Sequence, residues 1–273
     1  MKKLMAVVLA VLMLATACVG LSACTKNPYE DLMIVDLGLE REYFGIAFRS
    51  GSDMTRKVED ITLELIKEGK LAELSTTYEV GAMGESEYVP TAAANTDSGD
   101  WAYIQSKGKL VIGITDYKPM DYRDENGNWI GFDADYARAV CAKLGVTAEF
   151  KEIEWDNKLI ALEAKDIDCI WNGMTITEAI ENAADCTVPY MYNTQVAVIK
   201  KANAEKYKDI ASLAGVSIAA EGGSAGEKVI ADNAALAGGL KSVTAQTDAL
   251  MEVASGASEA AIVDLTLAKA LVK

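Results

Sequence analysis

Apolar positions in the last two-thirds of the chain alternate between two periods. KLVIGIT (109–115) is a continuous apolar run, the mark of a strand buried on both faces. Residues 133–144 switch to the helical period: Tyr136, Ala139, Val140 and Leu144 form one stripe, and Gly145 closes it. A strand over 147–153 follows, then a helix over 156–164 with Leu159, Ile160 and Leu162 apolar, a strand over 168–171 and a short helix over 178–184. A second series repeats the alternation, with strands at 195–199, 216–220, 241–245 and 260–263. Its helices fall at 226–234, 248–255 and 265–272. This order predicts an α/β fold with mostly parallel sheets, and two series predict two lobes.

The first third reads differently. Residues 32–35 and 43–48 predict short strands, Ser50-Gly51-Ser52 a turn, and Asp53 a cap for a helix starting at Met54. That helix (54–68) places Val58, Ile61 and Leu65 on one face, with Gly69 as its stop and Leu71 and Leu74 continuing the face. It needs a sheet to pack on, and little precedes it. Residues 81–100 (GAMGESEYVPTAAANTDSGD) lack an apolar period and read as a flexible linker. At the start, Lys2 and Lys3 precede an uncharged apolar run over 4–21, followed by Leu21-Ser22-Ala23-Cys24. The run is borderline in length for a transmembrane anchor and reads better as a secretory signal. Leu-Ser-Ala-Cys resembles a bacterial lipobox, which implies acylation of Cys24; Ala15-Thr16-Ala17-Cys18 is a weaker candidate lacking the leading leucine.

Composition narrows the chemistry. A formal net charge of −15 argues against nucleic acid, whose phosphates need a basic footprint. The chain has no histidine, which removes Ser-His-Asp and Cys-His nucleophiles and His-ligated zinc. Cys141, Cys169 and Cys186 lack metal-ligand spacing; they read as small buried hydrophobes, with a Cys169–Cys186 disulfide as the alternative in an oxidising space. No cofactor or metal is expected.

Five stretches then point to a family: GKLVIGITDYKPMDYRDENGNWIGFDADYARAVCAKLGV, EWDNKLIALEAKDIDCIWNGMTIT, VPYMYNTQVAVIKK, SIAAEGGSAGE and AAIVDLTLAKAL. In order and spacing the chain resembles the polar amino acid-binding proteins of ABC importers. The resemblance implies a two-lobed type II periplasmic-binding fold with a two-strand hinge. In that family a GIAF-like strand, a turn and a helix end the chain. Here YFGIAFRSGSDMTRKVEDITLELIKEGKLAELSTTY comes first, which implies circular permutation, or else a rearranged gene. The domains expected are a signal peptide at 1–23, a lipid anchor at 24–27, lobe 2 from 28–43 and 195–273, lobe 1 from 44–80 and 101–194, and the linker 81–100 joining the ancestral termini. Permutation is physically reasonable where termini lie close together at the surface.

An amino acid needs a cation site, an anion site and a side-chain pocket. Asp264 ends an apolar strand, where open α/β sheets place ligands. The resemblance assigns it to the α-ammonium, alongside Gly173 and Thr175; the alternative is a plain helix cap for 265 onward. Gly223, Ser224 and Ala225 open a helix, a start suited to a carboxylate, or form an ordinary turn. Tyr117 and Trp155 match the family's aromatic sandwich, or are core aromatics. Many members carry an arginine for the carboxylate where Ile180 stands here, leaving Lys158 or a helix N-terminus as substitutes. Glu221 stands where some relatives have a basic residue, which points away from an acidic ligand side chain.

The function expected is therefore an extracytoplasmic, lipid-anchored solute-binding protein, not an enzyme, delivering an amino acid to an ABC permease. The protein is expected to be a monomer, with lobe exchange as the route to a dimer. A non-transport sensing domain and a cyclohexadienyl dehydratase-like enzyme on the same fold, with Glu178 or Asp116 for acid–base work, are the alternatives.

Overall fold

The computed structural model of the chain describes residues 27–91 and 98–273. The expected signal peptide and the Cys24 lipidation site lie outside the described residues. Among the described residues, no helix is long and apolar enough to cross a membrane.

The chain begins with strands β1 (Leu32–Asp36) and β2 (Glu42–Arg49), then helices α1 (Met54–Lys67), α2 (Lys70–Tyr78) and α3 (Asp100–Lys107). Next come β3 (Lys109–Ile114), the short strands β4 (Tyr122–Arg123) and β5 (Trp129–Ile130), α4 (Phe132–Leu144) and β6 (Thr147–Glu152). They are followed by α5 (Lys158–Glu163), β7 (Cys169–Thr175), α6 (Glu178–Glu181), β8 (Ala184–Cys186), β9 (Met191–Asn193) and β10 (Gln195–Lys200). The remaining elements are β11 (Ile218–Glu221), α7 (Ala225–Ala231), β12 (Leu240–Val243), α8 (Gln246–Ser255), β13 (Ala260–Asp264) and α9 (Leu265–Leu271).

The strands form two large sheets. One has the order β6-β3-β7-β2-β8, with β9 also on β2; the other has the order β1-β10-β13-β11-β12. The chain passes between them twice, between β1 and β2 and between β9 and β10. Thr194 ties the two passages together, its Oγ1 donating to the Glu40 carbonyl at 3.2 Å.

Both sheets are mixed, a correction to the mostly parallel expectation. β3 pairs parallel with β6 and β7, as predicted for a run buried on both faces, but β2 pairs antiparallel with β7, β8 and β9. In the second sheet β11 pairs parallel with β12 and β13, while β1–β10 and β10–β13 are antiparallel. The antiparallel strands are those at the passages, which enter each sheet from the opposite end. The helix expected at 178–184 stops at Glu181 because Ala184 is drawn into β8, opposite Arg49.

β2 is central to the first sheet, so the early segment finds its partners far along the chain. Val58 and Leu65 of α1 are buried in the core with Phe44, Tyr136 and Trp171. A buried ion cluster fixes the end of β2. Arg49 lies 3.0 Å from Asp100 and 3.9 Å from Asp168, and donates to the Leu162 and Ile167 carbonyls. Asp168 also meets Lys107 at 2.6 Å and accepts from the Val111 amide at 2.6 Å.

The expected linker is not free through residue 91. Met83 N–H donates to the Tyr190 carbonyl at 2.8 Å, Tyr88 is buried, and Thr91 N–H donates to Glu59 at 2.9 Å. Two apolar side chains and a buried carboxylate hold this segment, features that its Gly- and Ser-rich composition hides. The three described cysteines are free thiols. Cys169 and Cys186 sit on opposite sides of β2, two strand spacings or about 10 Å apart, beyond the reach of a disulfide.

Candidate functional site

A cavity of about 610 Å³ opens at the ends of β7, β11 and β13. Its walls hold all seven residues singled out above: Tyr117, Trp155, Gly173, Thr175, Ser224, Ala225 and Asp264. Tyr117, Trp155, Gly173 and Thr175 come from the first-sheet side, and the other three from the second.

Asp264 ends β13, but its side chain makes no helix-capping bond. It turns instead to three amides. Asn193 Nδ2 and Gln195 Nε2 each donate to Oδ1 at 2.6 Å, and Gln246 Nε2 donates to Oδ2 at 2.5 Å. Gln246 Oε1 in return accepts the Asp264 N–H at 2.9 Å. Burial pushes the Asp264 carboxyl above the usual carboxylate range, and the Gln246 and Gln195 amides pull it back. The same network reaches Glu42 at the start of β2, whose Oε2 accepts from Gln195 at 2.9 Å, Asn193 at 3.2 Å and Thr175 Oγ1 at 3.3 Å. Burial, then the nearby Asp264, raise the Glu42 carboxyl. Both passages between the sheets are thus wired to the carboxylate at the cavity wall.

Gly173 has φ +56, and a Cβ there would lie 2.7 Å from a Tyr117 ring carbon, so the residue must be glycine for the aromatic ring to close in. Its N–H donates at 2.6 Å to Asp133, which also accepts from the Tyr190 hydroxyl at 2.8 Å. The Tyr117 hydroxyl is buried beside Asp264, and burial, then the Asp264 charge, hold it well above the ordinary tyrosine value. Trp155 opens the turn before α5 and is 7% exposed.

The helix start expected to receive a carboxylate is largely self-satisfied. Ser224 Oγ accepts the Glu227 N–H at 3.1 Å, and the Glu227 carboxylate reaches back to the Gly223 N–H at 2.8 Å, a capping box. Ser224 N–H donates to the Glu221 carbonyl at 3.2 Å. Lys158 Nζ, the other substitute for an arginine, donates to the Trp155 and Gly223 carbonyls at 3.1 and 2.8 Å. The second contact bridges the two sides of the cavity. Ile180 lines the wall as an apolar residue beside Trp155 and Met174.

Sequence reasoning missed Glu42, Asn193, Gln195 and Gln246 as a network. The available signal was a polar residue at the head of each of two elements, Gln195 before the apolar VAVI and Gln246 at the start of α8.

Two sheets flanked by helices and joined by two passages, with a cavity at the strand ends, match solved structures of two-lobed amino acid-binding proteins. One is a mutant of arginine-bound ArgBP from T. maritima, with 31% identity and a TM-score of 0.60, over 63% of this chain and 80% of that one. Another is the ancestral amino acid-binding protein AncCDT-1, a precursor of cyclohexadienyl dehydratase, with 33% identity and a TM-score of 0.59, over 62% of this chain and 75% of that one. Residues 110–273 match the bacterial extracellular solute-binding proteins, family 3, and the chain belongs to that family. Among curated relatives, the L-cystine-binding protein TcyJ of Escherichia coli K12 is 28% identical over 151 residues, which are 55% of this chain and 57% of TcyJ. The match thus spans little more than half of that relative's length.

Proposed function

We propose that this protein is an extracytoplasmic solute-binding protein that captures a polar amino acid between two closing lobes and presents it to an ABC permease. The observation that carries the reading is Asp264: a carboxylate 6% exposed, held by three amides, at the wall of a cavity sized for a small solute. Its remaining lone pairs suit an ammonium group, with Tyr117 and Trp155 as the aromatic walls. Thr175 and Gly173 complete this end from the other lobe, and Ser224 and Ala225 lie on the same side of the cavity as Asp264. The two passages serve as the hinge, a repertoire known for ligand-binding proteins of this shape. A lipid on Cys24 would hold the protein at the bacterial membrane. The test is a thermal-shift screen of the mature protein against the amino acids. A saturating ligand at about a hundredfold over its Kd should add about 2.7 kcal/mol of stability. A flat screen contradicts the reading.

The order of segments supports circular permutation. The family match begins at residue 110, yet 32–36 and 42–49 contribute strands to both sheets. A reordered chain, 98–273 followed by 28–80, should fold and bind the same ligand. If it is soluble only as an unfolded chain, the permutation proposal fails.

A further inference from the structure

The cavity carries five acidic residues (Asp156, Glu221, Glu227, Asp232 and Asp264) against two lysines. Both lysines are engaged: Lys228 pairs with Asp232 at 2.5 Å, and Lys158 donates to two carbonyls. Among the acids, Asp264 and Glu227 are tied by hydrogen bonds, but Glu221 is not. Its side chain is at the end of β11, it is 3% exposed, and among the described residues no hydrogen bond or ion pair reaches its carboxyl. A buried carboxyl without a partner is costly to folding, which makes it a site awaiting a donor.

We propose that Glu221 is a second cation-binding group, so that the ligand carries a guanidinium or ammonium in addition to the ammonium at Asp264. This rests on the proposed binding role of the cavity and names its substrate class: a solute with two cationic groups, such as a basic amino acid or its decarboxylated diamine-type counterpart. The geometry disfavours acidic ligands on two counts. The N–H groups of Gly223 and Ser224 are already taken, and among the described residues both lysines of the cavity are already engaged. A neutral side chain of equal length leaves the Glu221 carboxyl unpaired in the closed site, and that is where discrimination arises.

The experiment is titration calorimetry of the full mature chain with L-arginine, L-lysine, L-citrulline, agmatine and L-glutamate, on wild type and Glu221→Gln. Wild type should bind arginine or lysine at least about tenfold more tightly than citrulline, and glutamate not at all. Glu221→Gln should lose about tenfold or more for the cationic ligand and hold citrulline within about threefold, a pattern that a merely misfolded site would not give. Agmatine against arginine separates the two sources: tighter agmatine assigns an amine without a carboxylate, and tighter arginine a basic amino acid. Equal binding of citrulline and arginine by wild type, or equal losses for both in the variant, overturns the Glu221 assignment while amino acid binding stands. If no ligand of this panel and no other amino acid binds, the binding role itself fails, and the assignment with it.

Discussion

Glutamine at position 221 keeps the shape of the glutamate and removes its ionisation. Burial pushes the Glu221 carboxyl from its ordinary 4.5 up to about 8. Asp264 and Asp248 add to the rise with charge of the same sign, and Lys158 opposes it. A folded-state value raised above the unfolded one gives a stability contribution that is complete below the unfolded value and lost as pH climbs through the folded one. Within that window each pH unit costs the wild type about 1.4 kcal/mol relative to a residue that cannot ionise. By about pH 7, roughly 2.5 units above the unfolded value, the ligand-free Glu221→Gln protein should be about 3 kcal/mol more stable than wild type. For a chain of this size that is a rise of roughly 6–12 °C in Tm. The assay is urea or thermal unfolding of ligand-free wild type and variant between about pH 5 and pH 8. The buried Asp133 carboxyl, itself pushed up to about 7, adds a slope of the same sign to both proteins and cancels in the difference. The two curves should converge near pH 5 and separate steadily above it. Parallel curves would refute the claim that Glu221 is a desolvated, unpartnered carboxyl, and with it the physical basis for a cation seat. A gain in stability bought with a loss of cation binding is the expected trade-off at a functional carboxylate.

Further outcomes test the lobes and the core. Gly223→Ala should weaken ligand binding by about tenfold or more with a smaller loss of stability: φ is +70, and the added Cβ would lie 2.8 Å from Asp156 Cα across the cavity, so closure suffers more than either sheet. Calorimetry beside a melting curve reads both. Asp168→Ala should cost about 3–5 kcal/mol, because it leaves Arg49 and Lys107 short of a buried partner; chemical denaturation checks it, and a loss below about 1 kcal/mol contradicts the cluster's role. Because a cationic ligand favours the ionised Glu221, its binding should release protons near neutral pH and tighten as pH rises towards about 8, measurable by calorimetry in buffers of different ionisation enthalpy.

The alternation of strands and helices from 109 onward was legible because β3, β7, β10 and β13 are buried runs separated by segments of helical period. The three-residue strands β8 and β9 were not, since so few residues carry no period and owe their conformation to pairing with β2 and, in β9, to a bridge between Met191 and Ala82. α3 falls in the gap between the expected linker, which ends at residue 100, and the strand expected from 109. Site residues at strand ends, such as Asp264, were readable from position. The network joining Glu42, Asn193, Gln195 and Gln246 was not, because four separate segments supply it and each residue looks ordinary in its own. Asp121 and Asp133 make the same point: two aspartates twelve residues apart, both fully buried, whose neighbourhood exists only in the folded chain.

The central claim is that a small amino compound sits between Tyr117, Trp155 and Asp264. A crystal structure of the mature protein grown with the strongest thermal-shift ligand tests it directly. The account predicts one ligand molecule per chain in this cavity, its ammonium within hydrogen-bond distance of Asp264 and a second cationic group at Glu221. A ligand bound elsewhere, or oriented with an anionic group towards Asp264, would contradict it.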